Sequence, residues 1–386
     1  MKLRLLVLAL LALVALQGCL GGNRKKNPEE QPVELTAVSD GLQINRLWSA
    51  KLGGSAEHLA LALAPASDGS RVYAASHGGT VSAFDIDTGN RQWSVDTKLA
   101  LSAGPGYGDG MVVVGSADGD VLAFDTVTGG ERWRQSVTGE LLATPVVYGN
   151  VVILRSVNGV VYALDARDGK LRWNVAQSVP RLSLRGVGQP AAGGDRVIVG
   201  FDNGRVVAYR LRDGAELWQA PLATPSGRTE LERLTDVDSN VLIVGEEVYV
   251  AGFQSRGALL QLTNGQAAWA EEMSSVGGLA ADWNAVYSTG GDGSVFAVRR
   301  SNGLQVWQQD ALLRRGITGP AVFGTSVVVG DFEGYLHWLR ASDGAIIGRA
   351  RAGKSPIAAP PLVAGERLFV QDEAGVLYAY AMPGSS

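Results

Sequence analysis

Three features of the 386-residue sequence predict an all-β fold, a single eight-bladed β-propeller with four antiparallel strands in each blade. A Gly-x-x-x-Trp element recurs along the chain at intervals of roughly 40 residues. Glycine is abundant, with 51 residues, and only 19% of the residues are charged, a balance typical of short strands joined by tight turns. The last repeat also lacks a fourth strand, which a strand-like segment near the N-terminus can supply.

The repeated element defines the blades. Its successive glycines are 40, 40, 45, 51, 38 and 41 residues apart, and such a period of strand-like sequence is typical of propeller blades. Asn-Gly and Asp-Gly dipeptides separate the β-rich runs, as expected for tight hairpins. A seventh copy, at Gly344, has Gly348 in place of the tryptophan. Because single runs are too short to be stable, blades must pack on each other, and we predict structural inter-blade contacts for seven tryptophans: Trp48, Trp93, Trp133, Trp173, Trp218, Trp269 and Trp307.

The two ends of the repeat region predict how the ring closes. Residues 42–52 form an unpaired strand-like segment that carries Trp48, whereas the C-terminal repeat ends after three strands. Pairing of these two ends completes an eighth blade and removes the exposed strand edges that an open ring would leave. We therefore place the propeller domain at residues 41–384.

The first 18 residues have the features of a lipoprotein signal peptide. Lys2 and Arg4 precede an apolar run from Leu5 to Leu16 that is too short to span a bilayer comfortably. The run ends in LQGC, which resembles the lipobox of bacterial lipoproteins and implies cleavage before Cys19 and its acylation, with palmitate among the acyl chains. Leucine, not aspartate, follows the cysteine, which implies anchoring in the outer membrane on its periplasmic face. The alternative is an ordinary secretory signal followed by an unrelated cysteine.

The segment that follows the signal peptide is poor in apolar residues and rich in glycine, proline and charge. We predict that residues 19–40 comprise the lipidated cysteine and a flexible tether to the propeller. Arg24, Lys25 and Lys26 either contact anionic lipid headgroups or belong to a solvated linker.

Composition and motifs argue against several classes of function. A net charge of −4 gives no electrostatic reason to bind nucleic acid. The single cysteine excludes an intramolecular disulfide, and His58, His77 and His337 lack metal-ligand spacing. The sequence also contains neither a P-loop nor a Gly-x-Ser-x-Gly motif. We therefore predict no catalytic residues, no metal, no cofactor and no nucleic-acid partner.

The repeat strings AFDIDTGNRQW and AFDTVTGGERW resemble the repeat of pyrroloquinoline-quinone dehydrogenases. That resemblance implies quinone and calcium bound on the propeller axis by acidic, amide and basic side chains, often beside an adjacent cysteine pair. This chain has one cysteine, and Asp85, Asp125 and Asp165 occupy one equivalent position in three blades, as turn residues do. These features argue against a quinoprotein site. A periplasmic quinoprotein dehydrogenase and a generic periplasmic binding propeller nevertheless stay open as alternatives to a non-catalytic scaffold.

Three further strings, RLSLRG (181–186), ERLTDVD (232–238) and GDFEGYLHWL (330–339), resemble sequences of the BamB family. The resemblance extends over essentially the whole mature chain. The resemblance implies a lipoprotein subunit of the β-barrel assembly complex, which binds the periplasmic POTRA domains of BamA and supports folding and insertion of outer-membrane proteins. Guidance of unfolded client proteins along an exposed blade edge is a second implied role. The docking residues implied by the family are Leu182, Leu184, Arg185, Asp236 and Asp238.

The repeat spacing indicates one interaction surface independently of the family. The two long intervals, of 45 and 51 residues, meet at Gly214, and their extra residues fall in the loops that contain RLSLRG and ERLTDVD. Both loops join the last strand of one blade to the first strand of the next, so they lie on the same face of the propeller. Loops on a rigid scaffold commonly carry function, and here leucines can supply an apolar anchor while charges fix the orientation of a partner.

The residue pattern alone leaves other interpretations open. Leu182 and Leu184 alternate with polar residues, as on the buried side of an ordinary strand, and Asp236 and Asp238 can instead pair with nearby arginines. The loop at residues 312–315 is expected on the same face, either as a weaker partner contact or as a solvated turn.

Overall fold

The computed structural model describes residues 31–38, 41–56, 59, 61, 63–179, 188–222, 240–252, 256–273, 275 and 277–382. Within these ranges, 32 strands form eight four-stranded antiparallel sheets arranged as the blades of a ring. The predicted eight-bladed propeller is therefore confirmed. None of the residues in these ranges forms a helix long and apolar enough to cross a membrane.

Blades 1 to 7 each use four consecutive strands, and blade 8 combines three C-terminal strands with β1. The strands are β1 Arg46–Lys51; in blade 1, β2 Ala66–Ser67, β3 Arg71–Ala75, β4 Thr80–Asp85 and β5 Arg91–Asp96; in blade 2, β6 Leu101–Gly108, β7 Met111–Ser116, β8 Asp120–Asp125 and β9 Glu131–Ser136; in blade 3, β10 Val146–Tyr148, β11 Val151–Arg155, β12 Val160–Asp165 and β13 Leu171–Ala176; in blade 4, β14 Ala191–Gly193, β15 Arg196–Gly200, β16 Arg205–Arg210 and β17 Glu216–Pro221; in blade 5, β18 Leu242–Val244, β19 Glu247–Val250, β20 Arg256–Gln261 and β21 Ala267–Glu272; in blade 6, β22 Leu279–Ala281, β23 Ala285–Thr289, β24 Val295–Arg299 and β25 Gln305–Gln309; in blade 7, β26 Ala321–Phe323, β27 Ser326–Gly330, β28 Tyr335–Arg340 and β29 Ile346–Arg351; and in blade 8, β30 Leu362–Ala364, β31 Arg367–Gln371 and β32 Val376–Ala381.

The ring closes as predicted, through the two ends of the chain. Strand β1 pairs antiparallel with β32, and Trp48 lies opposite Ala379. The fourth strand of blade 8 thus comes from the N-terminal side of the chain and the other three from the C-terminal side. This pairing satisfies backbone groups that would otherwise be exposed along β32.

The antiparallel order gives the propeller two distinct faces. The first strand of each blade is innermost, and the first strands of several neighbouring blades contact each other around the axis. Turns between strands one and two and between strands three and four lie on one face, which we call the turn face. Turns between strands two and three lie on the opposite face together with the loops between blades. We call this second face the insertion face because both long inter-blade insertions begin and end there, at residues 177–179 and 188–190 and at residues 222 and 240–241.

The hydrophobic core lies between the blades. All five residues of β11, a second strand, are buried, whereas the fourth strand β13 buries only its tryptophan, Trp173. Residues of β11, β12 and β13 pack in one cluster with Val197 and Val199 of β15 and Tyr209 of β16 in the next blade. The buried side of each blade is thus covered by its neighbour, as expected for strands too short to fold alone.

The tryptophans of the repeated element lie at the boundaries between blades. The Trp93 indole covers Gly129 of the next blade so closely that a Cβ atom on that glycine would lie 2.7 Å from Trp93 Cδ2. Each indole nitrogen also donates a hydrogen bond to a backbone carbonyl of the next blade. These bonds are Trp48 to Ile86 (3.3 Å), Trp93 to Thr126 (2.9 Å), Trp133 to Ala166 (2.9 Å), Trp173 to Leu211 (2.9 Å), Trp218 to Leu262 (3.0 Å), Trp269 to Arg300 (2.9 Å) and Trp307 to Ala341 (2.8 Å).

Blade 7 exchanges the two members of a cross-strand pair. In blade 2, Ala123 of the third strand lies opposite Trp133 of the fourth. In blade 7 the third strand carries the large residue, and Trp338 lies opposite Gly348. Trp338 is fully buried and packs edge-on against Tyr380 of blade 8, with ring centroids 6.0 Å apart. Blade 7 therefore keeps a buried indole but supplies it from the neighbouring strand.

The repeated aspartates are turn residues. One carboxylate oxygen of Asp125 accepts hydrogen bonds from the backbone N–H groups of Val127 and Thr128 and from the Thr128 hydroxyl. The hydrogen bond from Arg132, together with those from the turn, holds the pKa of Asp125 well below its usual range. Asp85 and Asp165 bind their own turns in the same way, which accounts for their recurrence without any ligand.

Candidate functional site

The predicted docking residues fall outside the described residues, as does the lipidation site. These residues are Leu182, Leu184, Arg185, Asp236, Asp238 and Cys19. The structure does describe the points at which both loops join the propeller. These points show where each insertion begins and ends.

The first loop is attached at both ends to the insertion face. At its start, the backbone N–H of Gln177 donates to the carbonyl of Gly159, and the Gln177 side chain donates to the Tyr209 hydroxyl at 3.0 Å. At its end, the carbonyl of Gly188 accepts a hydrogen bond of 3.4 Å from Arg155 Nη1. The loop thus leaves blade 3 and returns to blade 4 at fixed positions.

A buried ion pair supports the return of this loop. Arg155, at the end of β11, pairs with Asp202 of blade 4, and their side chains are only 2% and 5% exposed. The Arg155 guanidinium also lies over the Phe201 ring, 5.3 Å from its centroid. Separating the two side chains would leave two buried charges without partners, which is costly. The pair therefore holds blades 3 and 4 together beneath the loop.

The ends of the two insertions are joined to each other. The backbone N–H of Gln189 donates to Asn240 Oδ1 at 2.8 Å, and the N–H of Val241 donates to the Gln189 carbonyl at 3.3 Å. The start of the second loop is held by a hydrogen bond from Leu222 N–H to the Gly204 carbonyl. Two segments that are separated by some 50 residues in sequence therefore rise from a common base on the insertion face.

The axis of the ring holds a cavity of about 420 Å³. Its lining comes from the first strands of blades 1, 2, 3 and 8 and from the ends of the two insertion loops, and it is mostly small, aliphatic or proline. The polar residues of the lining have uncharged side chains: Ser67, Tyr107, Thr144, Gln189 and Asn240. As far as the structure describes it, the lining thus lacks the acidic and basic side chains that the quinoprotein resemblance implies for holding quinone and calcium. In the part of the chain that the structure describes, no group of three or more histidine, cysteine or acidic residues could hold a metal ion.

The loop at residues 312–315 differs from the expectation of a partner contact or solvated turn. Leu312 and Arg315 are buried, the first in an apolar cluster between blades 6 and 7 and the second beside Asp331 and Glu333. That expectation was wrong for these two residues because apolar side chains of both blades cover Leu312 and the acidic partners of blade 7 draw Arg315 inward.

The turn face carries an exposed aromatic residue that sequence reasoning missed. Trp283, between β22 and β23, is 91% exposed and does not belong to the repeated element. Equivalent turns between first and second strands contain mostly glycine and polar residues. A tryptophan at this position of the repeat is therefore a signal that the sequence does contain.

A family model described as "Outer membrane protein assembly factor BamB" matches residues 77–309 and 291–382, which is most of the chain. The chain belongs to the BamB family. A BamB from Alkalilimnicola ehrlichii is 48% identical over 97% of this chain and 96% of its own length. A BamB from Pseudomonas aeruginosa is 45% identical over 97% of this chain and 98% of its own length.

Solved structures agree with this assignment. The crystal structure of BamB from Moraxella catarrhalis has a TM-score of 0.79 at 29% identity and covers 88% of this chain and 100% of its own. The quinohemoprotein alcohol dehydrogenase from Comamonas testosteroni has a TM-score of 0.65 at 16% identity, covering 89% of this chain and 77% of its own, and shares only the fold. Because the BamB relatives are named as assembly factors, they confirm the non-catalytic interpretation over the dehydrogenase alternative.

Proposed function

We propose that this BamB-family chain is a lipid-anchored, non-catalytic subunit of the complex that assembles outer-membrane β-barrel proteins. It binds the periplasmic POTRA domains of BamA through the insertion face and so supports folding and insertion of outer-membrane proteins. The observation that carries this proposal is the common base of the two insertions, where Gln189 and Asn240 are hydrogen-bonded. The names of its relatives support the role in outer-membrane protein assembly.

The common base suits a protein-binding surface because it limits the freedom of both loops. Their ends are fixed by backbone hydrogen bonds and by the buried pair of Arg155 and Asp202. A loop whose ends are already positioned loses less conformational entropy when it binds, so more of the contact energy appears as affinity.

The residues in the loops provide complementary chemistry for a partner. Leu182 and Leu184 supply an apolar anchor, and such anchors give most of the binding energy at protein interfaces. Arg185 on one loop and Asp236 and Asp238 on the other carry opposite charges, which select the orientation of the partner and raise the association rate. Both signs of charge on one patch also fit a specific protein partner better than a general electrostatic attraction.

Charge reversal tests this surface directly. We expect Arg185→Glu and Asp238→Lys each to weaken binding of the purified BamA periplasmic domain by roughly 30-fold, about 2 kcal/mol. Titration calorimetry gives the affinity, and thermal unfolding checks that each variant remains folded. Trp283→Ala is the matched control, since Trp283 is exposed on the turn face. Wild-type affinity in both reversal variants, or loss of binding only together with loss of folding, would reject direct contact.

The proposed anchor places the protein at the periplasmic face of the outer membrane through acylated Cys19. We expect labelled palmitate to be incorporated into the wild-type chain and not into a Cys19→Ser variant, and only the wild type to fractionate with outer membranes. Incorporation into the variant, or a soluble wild-type protein, would show that the anchor is wrong.

A further inference from the structure

We propose that blade 7 is a docking site for the chain's own N-terminal segment, and that docking directs the membrane tether out of the propeller on the insertion face. The segment comprises residues 31–38 and 41–45, and we call it the N-terminal strap. This inference rests on the proposed acylation of Cys19 and adds to it a preferred orientation, with the insertion face nearer the membrane.

The start of the strap is bound to the loop before blade 7. Arg314 Nε donates to the carbonyl of Gln31 at 2.6 Å, and Arg315 Nη1 donates to the carbonyl of Val33 at 3.1 Å. The N–H of Val33 in turn donates to the Leu313 carbonyl at 3.1 Å. This loop belongs to the insertion face, so the strap begins there.

The middle of the strap lies on the outer strand of blade 7. Arg349 of β29 donates to the carbonyl of Thr36 at 2.6 Å. Val33 and Leu35 are half-buried while Gln31, Glu34 and Thr36 are exposed, and Leu35 packs against the apolar cluster between blades 6 and 7. The strap is thus held by arginines that bind its backbone and by alternating apolar side chains.

Acidic residues of blade 7 hold one of these arginines in place. Asp331 is fully buried and accepts hydrogen bonds from Arg315 Nε at 2.9 Å and from His337 Nε2 at 3.0 Å. Arg315 also pairs with Glu333. Asp331, Glu333 and His337 all belong to the string GDFEGYLHWL, so this family-like string forms the support of the strap site.

The second arginine is positioned by a histidine. Arg349 Nε donates to His337 Nδ1 at 3.1 Å, while the other ring nitrogen of His337 donates to Asp331. This arrangement requires a neutral imidazole. Burial lowers the pKa of His337 and so favours the same neutral form. A buried charge left without its partner is costly, so the network holds both arginines toward the strap.

Blade 7 also has room for the end of the strap because its fourth strand lacks the repeated tryptophan. A Cβ atom added to Gly348 would lie 2.9 Å from Ile44 Cδ1 and 3.4 Å from Leu42 Cβ. The N–H of Leu42 donates to the carbonyl of Ile347 at 2.7 Å. Because blade 7 supplies its indole from Trp338 of β28, the space beside Gly348 of β29 is open to Leu42 and Ile44 of the strap.

These contacts give the strap a direction. Strand β29 runs from the turn face to the insertion face, and the strap contacts it at Ile347 near its start and at Arg349 farther along. Because Leu42 lies near the turn face and Gln31 near the insertion face, the strap runs antiparallel to β29 along the edge of blade 7. The N-terminal end of the strap consequently lies at the face that carries the proposed partner surface.

Docking limits how far the propeller can lie from the membrane. Gln31 lies twelve positions after Cys19, a span of at most about 40 Å when extended. Without docking, the first fixed point is Arg46 at the start of β1, 27 positions after Cys19, a span of up to about 90 Å. The docked strap therefore keeps the insertion face, where the strap begins, within about 40 Å of the bilayer, which is less than half of the undocked span.

Energy transfer on vesicles tests this orientation. Once Cys19 is acylated, an introduced cysteine is the sole free thiol of the chain, so a fluorophore can be placed at Ala117→Cys on the insertion face or at Val127→Cys on the turn face. The acylated protein is bound to phosphatidylethanolamine–phosphatidylglycerol vesicles that contain a headgroup-labelled acceptor. We expect higher transfer efficiency from position 117 than from position 127, because the faces are separated by the length of a blade strand, roughly 20 Å.

The variant Arg314→Gln/Arg349→Gln should abolish this difference while leaving the propeller folded, since it spares the buried Arg315. In parallel, the amides of Val33 and Leu42 should exchange hydrogen at least about tenfold faster in the variant. Arg172→Gln, on the outer strand of blade 3, is the matched control and should change neither result.

Two outcomes would overturn the inference while leaving the anchor intact. These are equal transfer from both positions in vesicle-bound wild-type protein, and unprotected Val33 and Leu42 amides in the wild type. A wild-type protein that is not acylated and does not float with the vesicles would overturn the anchor and the orientation together, even if those amides were protected.

Discussion

Replacing Gly129 with alanine perturbs one inter-blade contact without removing any existing atom. Gly129 has φ +71°, and an alanine Cβ there would lie 2.7 Å from Cδ2 of the buried Trp93 indole. The left-handed backbone costs a non-glycine residue about 1–2 kcal/mol. Forcing a methyl group against a packed ring adds about 1–3 kcal/mol. We therefore expect Gly129→Ala to lower the free energy of unfolding by about 2–5 kcal/mol.

Gly245→Ala is the matched control for this prediction. Gly245 has φ +63°, but no atom outside its own neighbourhood lies within 4 Å of the position of an added Cβ. It should therefore show only the backbone cost of about 1–2 kcal/mol. The difference between the two variants isolates the contact with Trp93.

Urea unfolding followed by circular dichroism measures both variants. A double-mutant cycle with Trp93→Leu extends the test, because a smaller, flexible side chain should relieve the overlap and leave only the backbone cost at position 129. If Gly129→Ala is no more destabilising than Gly245→Ala, or if its cost persists in the Trp93→Leu background, the inter-blade role of the tryptophans is refuted.

Three further predictions address other parts of the ring. Deletion of residues 42–52 removes the fourth strand of blade 8 and should markedly lower the melting temperature measured by circular dichroism, whereas an unchanged melt would contradict closure by β1. Trp338→Ala empties a buried site beside Tyr380 and should cost about 3–5 kcal/mol in urea unfolding; a cost under about 1 kcal/mol would show that the exchanged indole contributes little. Burial lowers the pKa of His337 in the folded protein. As pH falls through about 6.5, the imidazole is therefore protonated in the unfolded chain before it is protonated in the folded one. The free energy of unfolding should decline between that pH and the lower pKa of the folded state. His337→Gln should show a smaller decline between pH 7 and 5, and an identical pH dependence would argue against a buried neutral imidazole.

The number of blades and the closure of the ring were predictable because both depend on local, repeated chemistry. Glycines with positive φ mark the turns, and tryptophans four residues later mark the fourth strands. The spacing of these short motifs therefore gives the period of the blades. The strand around Trp48 was recognisable because it carries the element that the last repeat lacks.

The exchange in blade 7 was only half visible in the sequence. The absence of tryptophan at Gly348 is apparent from the repeat, but its compensation by Trp338 depends on the register of β28 with β29. Such cross-strand partners are ten residues apart in sequence, and a motif aligned along one strand does not reveal them.

The docked strap was not foreseen because the interactions that hold it do not depend on its composition. Residues 20–40 have little apolar content, which predicts a flexible tether, and the boundary proposed at residue 40 stays a prediction. The structure binds residues 31, 33 and 36 mainly through their backbone carbonyls, to arginines far along the chain. Any residue supplies a carbonyl, so the signal lies in the arginines and in their buried acidic supports.

The two insertion loops were predicted from repeat spacing, but their common base was not. Spacing locates extra residues on a face, whereas the bond between Gln189 and Asn240 requires the three-dimensional arrangement of blades 4 and 5.

Site-specific photo-crosslinking tests the central claim, that the insertion face contacts the assembly machinery. A photoreactive amino acid is placed at Leu184 in the first insertion or at Trp283 on the turn face, and each folded protein is irradiated with the BamA periplasmic domain. We predict a crosslinked product from position 184 and none from position 283. A product from position 283 with none from position 184 would show that the partner binds the opposite face.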